Sequence, residues 1–128
     1  MSDREMLELA AKAAGFDKFT YVEDGEGCYF DRGYEGPIAG IKLQDEYCIW
    51  NPLEDDGDAL RLLAAMPSLW SLSLKFGAPT VEMNVWWGTG GEKTNKIARE
   101  FAGDGADRAA AIRRAIVRAA ADVGRDVS

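Results

Sequence analysis

The chain holds 128 residues, 47% of them hydrophobic and 29% charged, at a formal net charge of −7, values that suit one domain spanning residues 1–128. No apolar run approaches the ~20 residues of a membrane-spanning helix, and the stretch from Met1 to Glu5 is too polar and acidic for a signal peptide, so a cytoplasmic protein that avoids the membrane is expected. His is absent, which removes the commonest general base, the Ser-His and Cys-His nucleophile pairs and nearly every imidazole zinc site.

Charge is unevenly spread. Residues 1–58 carry 15 acidic against 5 basic side chains, whereas residues 96–128 carry 5 against 7. Counterion release cannot drive tight nucleic-acid binding over such a surface, so no direct contact with nucleic acid is expected and basic partners are the easier case.

Ser2 followed three residues later by Glu5 is a capping-box pattern, and it opens an Ala/Leu-rich stretch ending at Gly15. This predicts a first helix over residues 3–14, with Met6, Leu9, Ala10 and Ala13 on one apolar stripe. Phe19 to Val22 and Cys28 to Phe30 read as two strands joined by a turn at Asp24 to Gly27. Arg32 to Pro37 has loop chemistry, and Ile38 to Leu43 and Tyr47 to Trp50 supply one or two further short strands. Asn51 to Asp58 leads into a second helix through Met66, which Pro67 terminates.

Trp70, Leu72, Leu74 and Phe76 alternate with polar residues, Gly77-Ala78-Pro79 reverses the chain, and Val81, Met83, Val85 and Trp87 alternate with Glu82, Asn84 and Trp86. This period of two predicts a second hairpin. Beyond the glycine-rich residues 88–91, Lys96 to Ala102 is read as a short helix and Ala106 to Val123 as the last one, striped by Ile112, Ala115, Ile116, Ala119 and Val123. The order α-ββ(β)-α-ββ-α calls for an α+β fold: an antiparallel or mixed sheet with helices on its faces, an α/β/α-type sandwich.

The segment from Trp50 to Leu62, WNPLEDDGDALRL, together with the Ala/Arg-rich run from Ala110 to Ala120, resembles small phage and prophage proteins of the phage ABA-sandwich type. The resemblance implies a phage origin and a sandwich fold rather than a known activity. Met66 to Gly91 departs from the family pattern by being longer and richer in Trp, which makes it the place to look for what this chain does specifically.

Cys28 and Cys48 form no Cys-x-x-Cys pair and read as reduced, half-buried thiols, with a cross-strand disulfide as the lesser alternative. Glu54, Asp55, Asp56 and Asp58 lack the spacing of a calcium loop and suit a helix start, where carboxylates meet the positive dipole end. The run Gly88-Thr89-Gly90-Gly91-Glu92-Lys93-Thr94 places Glu before Lys, where a phosphate loop needs Gly. A looser anion nest remains open there, with Thr89, Gly90, Gly91 and Lys93 beside the stacking rings of Trp86 and Trp87. Adjacent Trp86 and Trp87 must point to opposite faces of a strand. Trp86 shares its side with Glu82 and Asn84 and is the expected interface anchor. Arg113, Arg114 and Arg118 are placed on the outer face of the last helix, where Arg114 and Arg118, one helical step apart, suit a carboxylate or phosphate.

The expectation is a non-enzymatic protein without cofactor or metal that acts by binding. The phage resemblance adds that it inhibits or sequesters a host protein such as a defence factor. One alternative is sequestration of a nucleotide-like anion between Trp86 or Trp87 and the residue 88–93 loop, with a second copy completing the site as a homo-oligomer. Another, a divalent-metal phosphodiesterase, would use Glu54 to Asp58.

Overall fold

The computed structural model describes residues 2–29, 34–44, 46, 48–66, 69–77, 80–87, 94–101 and 108–127. The Ser2 side chain accepts from the Glu5 N–H at 3.1 Å and caps helix α1, Asp3–Ala13, as the capping pattern requires. At its end the Phe16 N–H reaches the Ala11 carbonyl at 3.0 Å across Gly15, whose φ of +89° suits a residue without a Cβ. Met6, Leu7, Ala10, Ala11 and Ala13 are buried.

Strands β1, Phe19–Tyr29, and β2, Tyr34–Leu43, pair antiparallel from Phe19 opposite Leu43 to Tyr29 opposite Tyr34. The turn expected at Asp24 to Gly27 is instead a bulge between Val22 and Gly25 within one longer strand, and Tyr34 to Pro37, expected as loop, belongs to β2. The glycines here serve close approach rather than reversal. A Cβ at Gly25 or at Gly40 would overlap the Ile49 side chain, which the hairpin thus admits into a glycine-floored notch. Of the strand expected at Tyr47 to Trp50, Tyr47 lies outside the described residues. Trp50 forms an isolated bridge to Ile41, each N–H meeting the other's carbonyl at 2.9 Å.

Helix α2, Asp56–Ala65, starts at the predicted acidic segment, and Asp55 is its cap residue. Strands β3, Leu69–Gly77, β4, Thr80–Trp87, and β5, Thr94–Phe101, form an antiparallel three-stranded sheet in that order. Residues 96–101, expected as the start of a short helix, are therefore strand; residue 102 lies outside the described set. The period of two prevails because Ala98 is buried opposite Met83, while Arg99 meets its cross-strand neighbour Glu82 at 2.7 Å. A seven-residue isolated helix has no comparable tertiary support.

Helix α3, Arg108–Val127, runs four residues beyond the predicted end. It packs on α1, α2, β4 and β5, so its burial is wider than one stripe: Ala111, Ala115, Ile116, Val117, Ala119, Ala120, Ala121 and Val123 are all covered. Small side chains let α1 and α3 approach closely, and at Gly124 a Cβ would overlap the Leu9 carbonyl oxygen. The fold is α+β, with the strands divided between two antiparallel sheets, α1 packed on β1 and β2, α3 on β4 and β5, and the helices on one another.

Candidate functional site

Strand β4 is regular through its last residues, Trp86 opposite Asn95 and Trp87 opposite Thr94, so its alternation holds to the end. Val81 and Met83 enter the core beneath α3, whereas Thr80 is exposed and Glu82 and Asn84 are half-buried on the other face. Trp86 shares that face and is 41% exposed, one of two exposed large hydrophobics together with Leu60 among the described residues. The nearby bulge lies across the ladder, between Leu69 and Ser71 on β3, and leaves β4 in phase. Around Trp86 the register sets Ser71, Ser73 and Lys75 on one side and Asn95 and Arg99 on the other. Asn84 Oδ1 is buried there and accepts no hydrogen bond among the described residues. The Trp87 side chain and Thr89, Gly90, Gly91 and Lys93 lie outside the described residues, and with them the anion nest.

Arg114 and Arg118 sit on the opposite side of this sheet. Glu100, paired with buried Val81, points toward α3, where its Oε1 receives Arg118 Nη1 at 2.8 Å and lies 3.6 Å from Arg114 Nε. Arg118 also donates to the Arg99 carbonyl at 2.6 Å, and Arg114 to Asp3 at 3.2 Å. These guanidiniums fasten α3 to β5 and α1. The expected binding set is thus divided by the sheet, Trp86 on one side and the arginines on the other. Arg113 corrects the expectation of an outer position. It is buried, donating to the Leu53 carbonyl at 2.9 Å and to Asp56 at 2.7 Å, because α2 packs on that side of α3.

The acidic segment folds into a capping knot. Asp55 Oδ2 accepts the Asp58 N–H at 2.8 Å, and Asp58 Oδ2 accepts the Asn51 N–H at 2.9 Å. Arg61 closes the cluster, 2.7 Å from Asp58 and 3.5 Å from Asp55. Asn51 ties the knot to β2 through the Ala39 carbonyl at 2.8 Å and caps the turn by accepting the Leu53 N–H at 3.0 Å. Among the described residues no three of His, Cys, Asp and Glu converge as a metal site.

Beside the knot lies a feature that the linear sequence does not signal. A cleft of about 570 Å³ opens between α2 and the chain entering it, lined by Phe16, Leu43, Ile49, Trp50, Ala64 and Ala65, with Glu46, Asp58 and Arg61 at its polar parts. Phe16 and Trp50 meet edge to face at 5.3 Å. Cys48, also on the wall, is disulfide-bonded, which corrects the reduced-thiol reading; Cys28 is the chain's other cysteine. Ile49, seated at Gly25, carries the Cys48 segment onto β1, a proximity that spacing in sequence cannot reveal. No helix among the described residues is long and apolar enough to cross a membrane. Comparison with protein-family models, with curated proteins and with solved structures gives no match.

Proposed function

We propose that this protein is a non-enzymatic binding protein that engages a protein partner through the face of the three-stranded sheet opposite α3. The observation that carries the reading is Trp86, a large ring 41% exposed on a face that also carries exposed Ser73, Lys75, Thr80 and Arg99 and half-buried Glu82 and Asn84. A Trp amid small and polar neighbours has the composition of an interface anchor with a polar rim. Among the described residues β3 and β5 are the edge strands of the sheet, and a partner strand added at an edge would gain main-chain hydrogen bonds beside the ring. The phage character of the protein, and a bacterial host factor as its target, rest on the resemblance of residues 50–62 and 110–120.

The test is quantitative co-purification from a bacterial lysate with the wild type, Trp86→Ala and Leu60→Ala. Leu60, 68% exposed on α2, controls for unspecific adhesion. The reading requires a partner retained by Leu60→Ala and lost with Trp86→Ala. Equal recovery with all three proteins, or none with any, overturns it.

A further inference from the structure

We infer that the cleft beneath α2 is a binding site for a small amphiphilic cation, an aromatic or aliphatic amine, independent of the Trp86 face. Its volume of about 570 Å³ falls in the range of small-molecule sites, which are mostly apolar with a few fixed polar groups. The apolar body of such a ligand fits against Phe16, Leu43, Trp50, Ala64 and Ala65. Helix α2 leaves room because it presents alanines at its last turn, while its larger Leu62 is turned into the core.

Charge selects the head group. The lining carries two carboxylates, Glu46 and Asp58, against one cation, Arg61, and Lys42 stands beside Glu46. Both cations are committed locally. Arg61 is bound to Asp55 and Asp58, and the Lys42 ammonium donates to the carbonyls of Leu43 and Glu46. Among the lining residues the excess is negative, in the acidic half of an acidic chain. The aromatic walls act in the same sense, since a ring face left open beside the Phe16–Trp50 edge-to-face pair attracts a cation and repels an anion. A carboxylate of equal size would meet the like charges of Glu46 and Asp58.

The experiment titrates the intact protein with naphthylmethylamine and with naphthylacetate, matched in apolar body and opposite in charge, by calorimetry and by methyl NMR. The amine is expected to bind saturably and to shift the methyls of Leu43, Ile49, Ala64 and Ala65, with the acetate weaker by about tenfold or more. Ala64→Phe, which fills the cleft from an exposed helix position, is expected to weaken the amine by about tenfold or more with its melting temperature kept. The methyl shifts locate the site in the unsubstituted protein, so the outcome does not hang on that variant. Absence of shifts at those methyls, acetate binding as tightly as amine, or undiminished affinity in folded Ala64→Phe would each overturn the assignment.

Discussion

Gly124→Ala sets two effects of opposite sign against each other. Within a helix, Ala is favoured over Gly by ~0.8–1 kcal/mol, and on propensity alone the variant should be more stable. At this position, however, the new Cβ would overlap the Leu9 carbonyl oxygen and stand 2.8 Å from the Leu9 carbonyl carbon, well inside the ~3.5–4.0 Å at which carbon atoms pack. The obstacle is α1 backbone, which cannot swing aside as a side chain would. The two helices must part, loosening the alanine contacts along the whole crossing. Overpacking of this kind costs ~1–3 kcal/mol, and an obstruction by backbone belongs at the upper end. The net expectation is a loss of ~2 kcal/mol, which at ~4 °C per kcal/mol for a chain of this size lowers the melting temperature by ~8 °C. Gly57→Ala in α2 is the internal control. Its nearest atoms are the guanidinium of Arg61 at 3.1 and 3.3 Å, the far end of a long and largely exposed side chain, and the Asp55 carboxylate at 3.2 Å, all side-chain atoms rather than backbone. That variant should be unchanged or up to ~1 kcal/mol more stable. Thermal and urea unfolding followed by circular dichroism read both. A Gly124→Ala protein as stable as wild type, with Gly57→Ala also unchanged, would refute the claim that α1 and α3 are in limiting contact.

The remaining predictions concern the knot, the disulfide and the sheet face. Asp58→Ala leaves the buried Asn51 N–H without its acceptor and takes a carboxylate from Arg61, so urea unfolding should show a loss of ~2–4 kcal/mol; a loss below ~0.5 kcal/mol would mean that the knot is ornamental. Asp55→Ala removes a helix cap and should cost ~1–2 kcal/mol in the same assay. Reducing the disulfide at Cys48 with dithiothreitol should lower stability by ~2–4 kcal/mol in the same urea assay. Trp86→Ala should change stability by no more than ~1 kcal/mol, because the ring is 41% exposed; a larger loss would assign Trp86 to the core rather than to a partner.

Local signals were readable where a residue's role is settled by its chain neighbours. Ser2 and Glu5 announced α1, the acids before Ala59 announced α2, and the alternation from Val81 to Trp87 placed Trp86 away from Met83. Roles settled by distant contacts were not readable. Lys96 to Phe101 carries helix-forming residues, yet it becomes strand because β4 offers an edge. Gly25 and Gly27 look like turn residues, whereas the hairpin uses Gly25 to admit Ile49 from more than twenty positions away. Arg113 resembles its neighbour Arg114 in sequence and differs only in facing α2. The cleft was invisible for the same reason: Phe16, Leu43, Trp50 and Ala64 come from separate elements, and no spacing unites them.

The place of α3 as the common neighbour of α1, α2, β4 and β5 has a bearing on how the protein is born. The helix is made after every element it covers. Until it emerges from the ribosome, the apolar faces of Met6, Leu7 and Ala10 on α1 and of Val81 and Met83 on β4 lack their cover. At ~5–20 residues per second, the interval between synthesis of Met83 and that of the end of α3 is roughly 2–9 s. During that interval the nascent chain offers exposed hydrophobic surface and strand edges to whatever is nearby, and closure waits on one helix that docks against several earlier-made partners at once.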